Sequence, residues 1–175
     1  MVWTAPDITR VDEPLTGDER ATLDGMLDWN RDTLLHKCTG LTGEQLALQS
    51  VPPSNLSLLG LLRHMAEVER SWFRRRFAGN PDLPHLYYRP DNADADFDEL
   101  DAAQAEADYA RLVEEQRLAR EAVAGRKLDE TFAHTRWGDM SLRWVMQHMI
   151  CEYAQHNGHA DLIRERIDGV TDKDD

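Results

Sequence analysis

Lysine is nearly absent from this chain, cysteine is rarer still, and no apolar run approaches the ~20 residues needed to cross a bilayer. Each scarcity excludes something. Two cysteines, Cys38 and Cys151, make no Cys-x-x-Cys pair and both fall in helical patterns, so a disulfide framework is not expected and each reads as a small core residue. Only Lys37, Lys127 and Lys173 accompany the arginines, and 33 acidic residues outweigh 20 basic ones to leave a formal charge of −13. Such a balance repels phosphate backbones and anionic lipid, which argues against nucleic-acid and membrane partners. The opening Met1-Val-Trp-Thr-Ala-Pro6 has no basic region followed by an apolar stretch, so a cytoplasmic location is expected. No Gly-rich phosphate loop or Gly-x-Ser-x-Gly elbow occurs, leaving nucleotide chemistry and serine hydrolysis without support.

What is present is helical periodicity. The 175 residues suit one domain, with residues 1–14 as an arm and 169–175 as a flexible tail. Thr16 to Glu19 has a capping-box pattern, followed by Leu23, Met26, Leu27, Leu34 and Cys38 at helical spacing until Gly40. Thr42 to Gln45 begins a short turn that Pro52 and Pro53 exclude from longer helix. A second long helix starts among Ser54, Asn55 and Ser57, runs through Leu58, Leu61, Met65 and Trp72, and ends at Arg74, Arg75 and Arg76. From Ala78 to Asp96 the prolines predict an irregular crossover, a length that is often functional. The third helix is expected from Phe97 or Asp98 to Gly125. Thr131 to Met140 is too rich in turn residues for helix and is expected to carry Trp137 over one end of the fold. Ser141 caps a fourth helix running to about Ile167, before Gly169. With no period-two strand pattern, the expected class is all-α: a four-helix bundle with a long crossover between helices two and three, for which up-down-down-up connectivity is possible.

The fourth helix holds the unusual chemistry. At about 100° per residue, His148, Glu152, His156 and His159 share one narrow sector beside the apolar stripe of Leu142, Val145, Met146 and Met149. His64 interrupts the apolar stripe of the second helix. Buried imidazoles and carboxylates need partners, and one metal ion on His64, Glu152 and His156 satisfies all three while leaving coordination positions open. Each residue also has a plainer role. His64 alone reads as a cleft histidine, and Glu152 as an ion-pair partner of Arg143 or another arginine. His148 is expected as a pocket wall or a hydrogen-bonder to a ligand, and His159 as a fourth ligand or a group behind one. Arg74, Arg75 and Arg76 either solvate a helix C-terminus or clamp a carboxylate or phosphate at the pocket mouth. Trp72, Trp137 and Trp144 are packing or rim residues, and His36, His85 and His134 are expected at the surface.

Two stretches, Leu61-Leu-Arg-His64-Met-Ala-Glu-Val-Glu-Arg70 and Ser141 through Glu152-Tyr-Ala-Gln-His156-Asn-Gly-His159 to Leu162, resemble the DinB-like superfamily of metal-binding bundles, and within it the actinobacterial branch called domain of unknown function 664. The resemblance implies an up-down-down-up bundle, often dimeric, with a divalent metal on His64, Glu152 and His156. Zinc is the first expectation, with nickel, iron or manganese as other occupants. Members with known activity use mycothiol or bacillithiol, implying a thiol S-transferase acting on a small electrophile. The extra C-terminal domain of the mycothiol-dependent maleylpyruvate isomerase has no counterpart here. Arg74, Arg75, Trp137, His148 and His159, read from their own positions as clamp, rim and pocket-wall residues, are the candidates to bind such a thiol cofactor. Two alternatives stay open: a metal-dependent hydrolase or isomerase, and a metal-stabilised binding or stress-response protein without turnover.

Overall fold

The first long helix, α1 (Glu19–His36), begins where Asp18 accepts a hydrogen bond from the Ala21 amide at 2.8 Å. Thr16 is therefore not its cap: Gly17, at φ +143°, turns the chain between the two positions. The structure is a computed structural model and describes residues 2–171, so the end of the expected tail, 172–175, lies outside the described residues. A single helical turn, α2 (Gly43–Leu46), carries the reciprocal capping box of Thr42 and Gln45. The preceding arm lies along this turn, with the Ala5 amide donating to the Leu41 carbonyl at 2.9 Å and Ala5 buried.

Ser57 caps α3 (Leu58–Glu69) by accepting from Gly60, and the helix then widens without a break into a π-helical segment, Arg70–Phe77. Arg70 and Arg74 on that segment both donate to the buried Glu115 carboxylate, at 2.6 and 2.8 Å. The crossover that follows is irregular, as its prolines require, and it is firmly anchored. Glu67 accepts from the Leu86 amide at 2.6 Å, the Tyr87 amide at 2.9 Å and His85 Nδ1 at 2.6 Å. His85 is at the surface, as expected, and is tied there to α3.

The third helix starts later than its sequence suggests. A short turn, α4 (Ala95–Asp98), ends at Glu99, whose ψ of 64° leaves the helical region and whose carboxylate is held by Arg89. Asp101 then caps a 3₁₀ turn, Ala102–Gln104, before α5 (Ala105–Val123). Two strands, β1 (Thr131–His134) and β2 (Gly138–Ser141), form an antiparallel hairpin where no strand was expected. Its alternation is only four residues long per strand and Gly138, at φ +77°, closes the turn. The last helix, α6 (Leu142–Asp168), is capped by Ser141 and stopped by Gly169 in the left-handed region. Among the described residues the fold is thus mostly helical, 56%, with one small two-stranded sheet.

α1 packs on α6, and α3 packs on both α5 and α6. Leu27, Leu34, Leu62, Leu112, Val145 and Met149 are buried between them. At the centre each long helix supplies one polar group. Arg31 on α1 grips Glu69 on α3 through two bonds of 2.7 and 2.8 Å, Tyr153 on α6 donates to Glu69 at 2.9 Å, and Gln116 on α5 donates to the Tyr153 hydroxyl at 3.1 Å. Burial opposes the charge on Arg31, but the Glu69 carboxylate beside it prevails and holds the guanidinium ionised.

The two cysteines part company. Cys38 is buried and its thiol is pushed up to about 12 by desolvation, with Arg164 opposing weakly, whereas Cys151 is exposed rather than in the core. A disulfide-exchange reagent should label Cys151 alone in the native protein and both thiols in denaturant, and Cys151→Ser should leave no native labelling. Rapid native modification of Cys38 would contradict this packing.

Candidate metal centre

α3 and α6 meet where His64 faces Glu152 and His156. One ligand atom from each of the three residues lies within 4.8 Å of the others. Glu152 Oε2 is 3.7 Å from His156 Nε2, and the rings of His64 and His156 are 4.8 Å apart at 66°. The i, i+4 spacing on α6 places Glu152 and His156 on one face, and α3 brings His64 across from them. His156 is buried while His64 and Glu152 are partly exposed.

The surroundings orient these side chains. His64 Nδ1 is 2.8 Å from Asp96 Oδ2, and since a carboxylate accepts, Nδ1 carries the proton and Nε2 keeps its lone pair for the cluster. Asp96 stands on α4, which Arg63 secures by donating to the Asp96 and Ala95 carbonyls at 3.1 and 2.9 Å. Phe97 stacks on His64 at 5.0 Å, and α4 approaches α3 so closely that a Cβ at Gly60 would stand 2.9 Å from the Phe97 ring. The other Asp96 oxygen, Oδ1, is buried with no hydrogen-bond partner.

Glu152 also faces His148, whose Nε2 is 3.4 Å from Oε1. The polar edge of His156 holds the Glu152 carboxyl below the usual carboxylate range; burial opposes this and His148 and His64 assist. Desolvation lowers the pKa of His148, against the attraction of Glu152, and of His159. His159 is 3.4 Å from His156 between Nδ1 atoms, on the ring nitrogen away from Glu152. It therefore stands behind His156 and outside the triad.

Two imidazoles and a carboxylate, with one imidazole backed by a carboxylate, form a donor set suited to a divalent ion. Ligands each about 2.0–2.1 Å from a tetrahedral ion lie roughly 3.3 Å apart, close to the Glu152–His156 separation, so the residues present fit such a group. The chain matches the family model of the mycothiol-S-transferases over residues 22–169. It belongs to that family. The matched region holds all three residues of the cluster, and the family is a branch of the DinB-like proteins. No curated protein and no solved structure matches the chain.

Other candidates lie elsewhere in this family member. Arg74 is engaged with Glu115, and Arg75 with the Leu83 carbonyl, so neither is drawn to the triad. Arg76 lies instead 4.5 Å over the Trp72 ring. Arg143 pairs with Glu19 at 2.7 Å and with Asp129, leaving Glu152 to its histidines. Trp137 stacks on His134 at 4.4 Å, while His148 stacks on Trp144 at 4.8 Å. Asp96 and Phe97 went unread in the sequence because they are 32 and 33 positions from His64, in a stretch whose prolines announce only a connection.

Proposed function

We propose that this family member is a divalent-metal-dependent mycothiol S-transferase built as a DinB-like four-helix bundle of up-down-down-up order and working in the cytoplasm. One observation carries the proposal: in a chain of this family, His64, Glu152 and His156 from two helices converge in an orientation that leaves donor atoms facing one another. These three residues would hold the ion, zinc first, with nickel, iron and manganese accepted by the same donors. A bound divalent ion supplies a Lewis acid that lowers the pKa of a neighbouring thiol into the neutral range.

The chain's own residues do the rest. Glu152 offsets positive charge at the cluster, and His148 Nε2 stands 3.4 Å from its Oε1. Asp96 keeps His64 in the tautomer whose Nε2 can donate. His159 stands behind His156, its Nδ1 3.4 Å from the His156 Nδ1. In the transfer, the thiol loses its proton to solvent, a carbon–sulfur bond forms on the electrophile, and the bond from that carbon to its leaving group breaks with the electron pair departing on the leaving group.

Elemental analysis with calorimetric titration tests the reading. About one equivalent of metal per chain is expected, with mycothiol binding that weakens at least about tenfold once a chelator has removed the metal. Equal mycothiol affinity in the loaded and stripped protein would contradict it.

A further inference from the structure

The hairpin and the start of α6 enclose a cavity of about 600 Å³ lined by Trp72, Trp137, Met140, Trp144 and His148, with Asp139 and Ser141 completing its rim. Its aromatic wall is ordered. Trp137 and His134 form one stacked pair, 19° from parallel, and Trp144 and His148 form another, 14° from parallel. Trp72 contacts both pairs and lies only 14° from the plane of Trp137, at 6.4 Å. Trp137 and Trp144 are nevertheless 54% and 40% exposed, so two indoles stand at a cavity with much of their surface uncovered. This cavity shares a wall with the metal cluster, because His148 lines it and is 3.4 Å from Glu152.

We propose that this cavity is the electrophile subsite and that it takes a flat, uncharged aromatic ring. The proposal rests on the transferase reading and names the substrate class for that same site. Nearly parallel indole and imidazole planes favour a planar π-system over a saturated skeleton of equal size. A cationic ligand is disfavoured because Arg76 already lies over Trp72 at 4.5 Å and Arg136 over Trp137 at 5.3 Å. The same arginines would attract an anion, but Asp139 on the rim offsets that attraction, so the charges around the cavity favour a neutral ligand. With a halogenated nitroarene as electrophile, the thiol sulfur bonds to the ring carbon, the carbon–halogen bond breaks, halide leaves and the thiol proton passes to buffer.

The test compares 1-naphthol with decahydro-1-naphthol, the same skeleton made saturated, by equilibrium dialysis against the metal-loaded protein. Naphthol should bind at least about threefold more tightly. Trp137→Ala should weaken naphthol about three- to tenfold and leave the saturated alcohol unchanged, while Trp137→Phe restores most of the loss. Equal affinity for the two alcohols, or a naphthol affinity untouched by Trp137→Ala in folded protein, would overturn the subsite. Metal and mycothiol titrations run on the same preparation separate the two readings. A retained naphthol preference in a chain that takes up neither metal nor mycothiol overturns the transferase and leaves an aromatic-binding site. A lost preference in a chain that binds both overturns the subsite alone.

Discussion

His156→Ala should lower divalent-metal affinity by about 100-fold, and Asp96→Ala should lower it by about 10- to 100-fold. The first figure follows from sharing the ~10–16 kcal/mol of a four-ligand zinc site among its ligands, roughly 3 kcal/mol each. The second is the usual cost of removing the carboxylate that orients a ligating imidazole. The two substitutions act differently. His156 is itself a proposed donor, with its Nε2 facing Glu152, whereas Asp96 would act only through His64 Nδ1 at 2.8 Å. Asp96→Asn keeps an acceptor at that position and should recover much of the affinity. Competition against a chromogenic chelator gives the constants, and the metal-induced rise in thermal midpoint gives an independent reading through binding linkage. If His156→Ala retains wild-type affinity, the triad is wrong. If Asp96→Ala retains it while His156→Ala does not, the triad stands and Asp96 is structural.

Glu69→Ala should destabilise the fold by about 3–5 kcal/mol, a large share of the ~5–15 kcal/mol that holds a domain together. Glu69 has no solvent exposure and accepts from Arg31 and Tyr153, so truncation leaves the buried guanidinium with Asp28 alone, at 2.9 Å, and the Tyr153 hydroxyl without its acceptor. The loss comes from the abandoned partner more than from the missing contact. Replacing both members, as in Arg31→Met with Glu69→Leu, should therefore return most of the stability. Urea denaturation followed by circular dichroism measures both. A loss under about 1 kcal/mol for Glu69→Ala would mean that water reaches Arg31 and that the centre is looser than its packing indicates.

The residues of α6 show how far sequence periodicity reaches. His148, Glu152, His156 and His159 share a helical sector by spacing alone, and the structure keeps them on one face. Spacing could not assign their roles. His159 meets the far nitrogen of His156, and His148 joins an aromatic wall, because ring orientation depends on Trp144, Trp72 and the other histidine. Nor could spacing give the partners of Arg74 and Arg75, which are a buried carboxylate on α5 and a carbonyl in the crossover. A long side chain goes where an unpaired buried charge demands it, and that demand comes from another segment.

By itself the sequence determined the helical periodicity, most of the caps at Thr42, Ser57 and Ser141, the irregular crossover and the residue types of the metal cluster, since each depends on neighbours within about one helical turn. Only the tertiary structure decided that Asp96 backs His64, that the crossover is fastened by Glu67, and that residues 131–141 form a hairpin carrying Trp137 over Trp72. Those outcomes depend on groups dozens of positions apart competing for the same buried partners, and no local pattern encodes which of them meet.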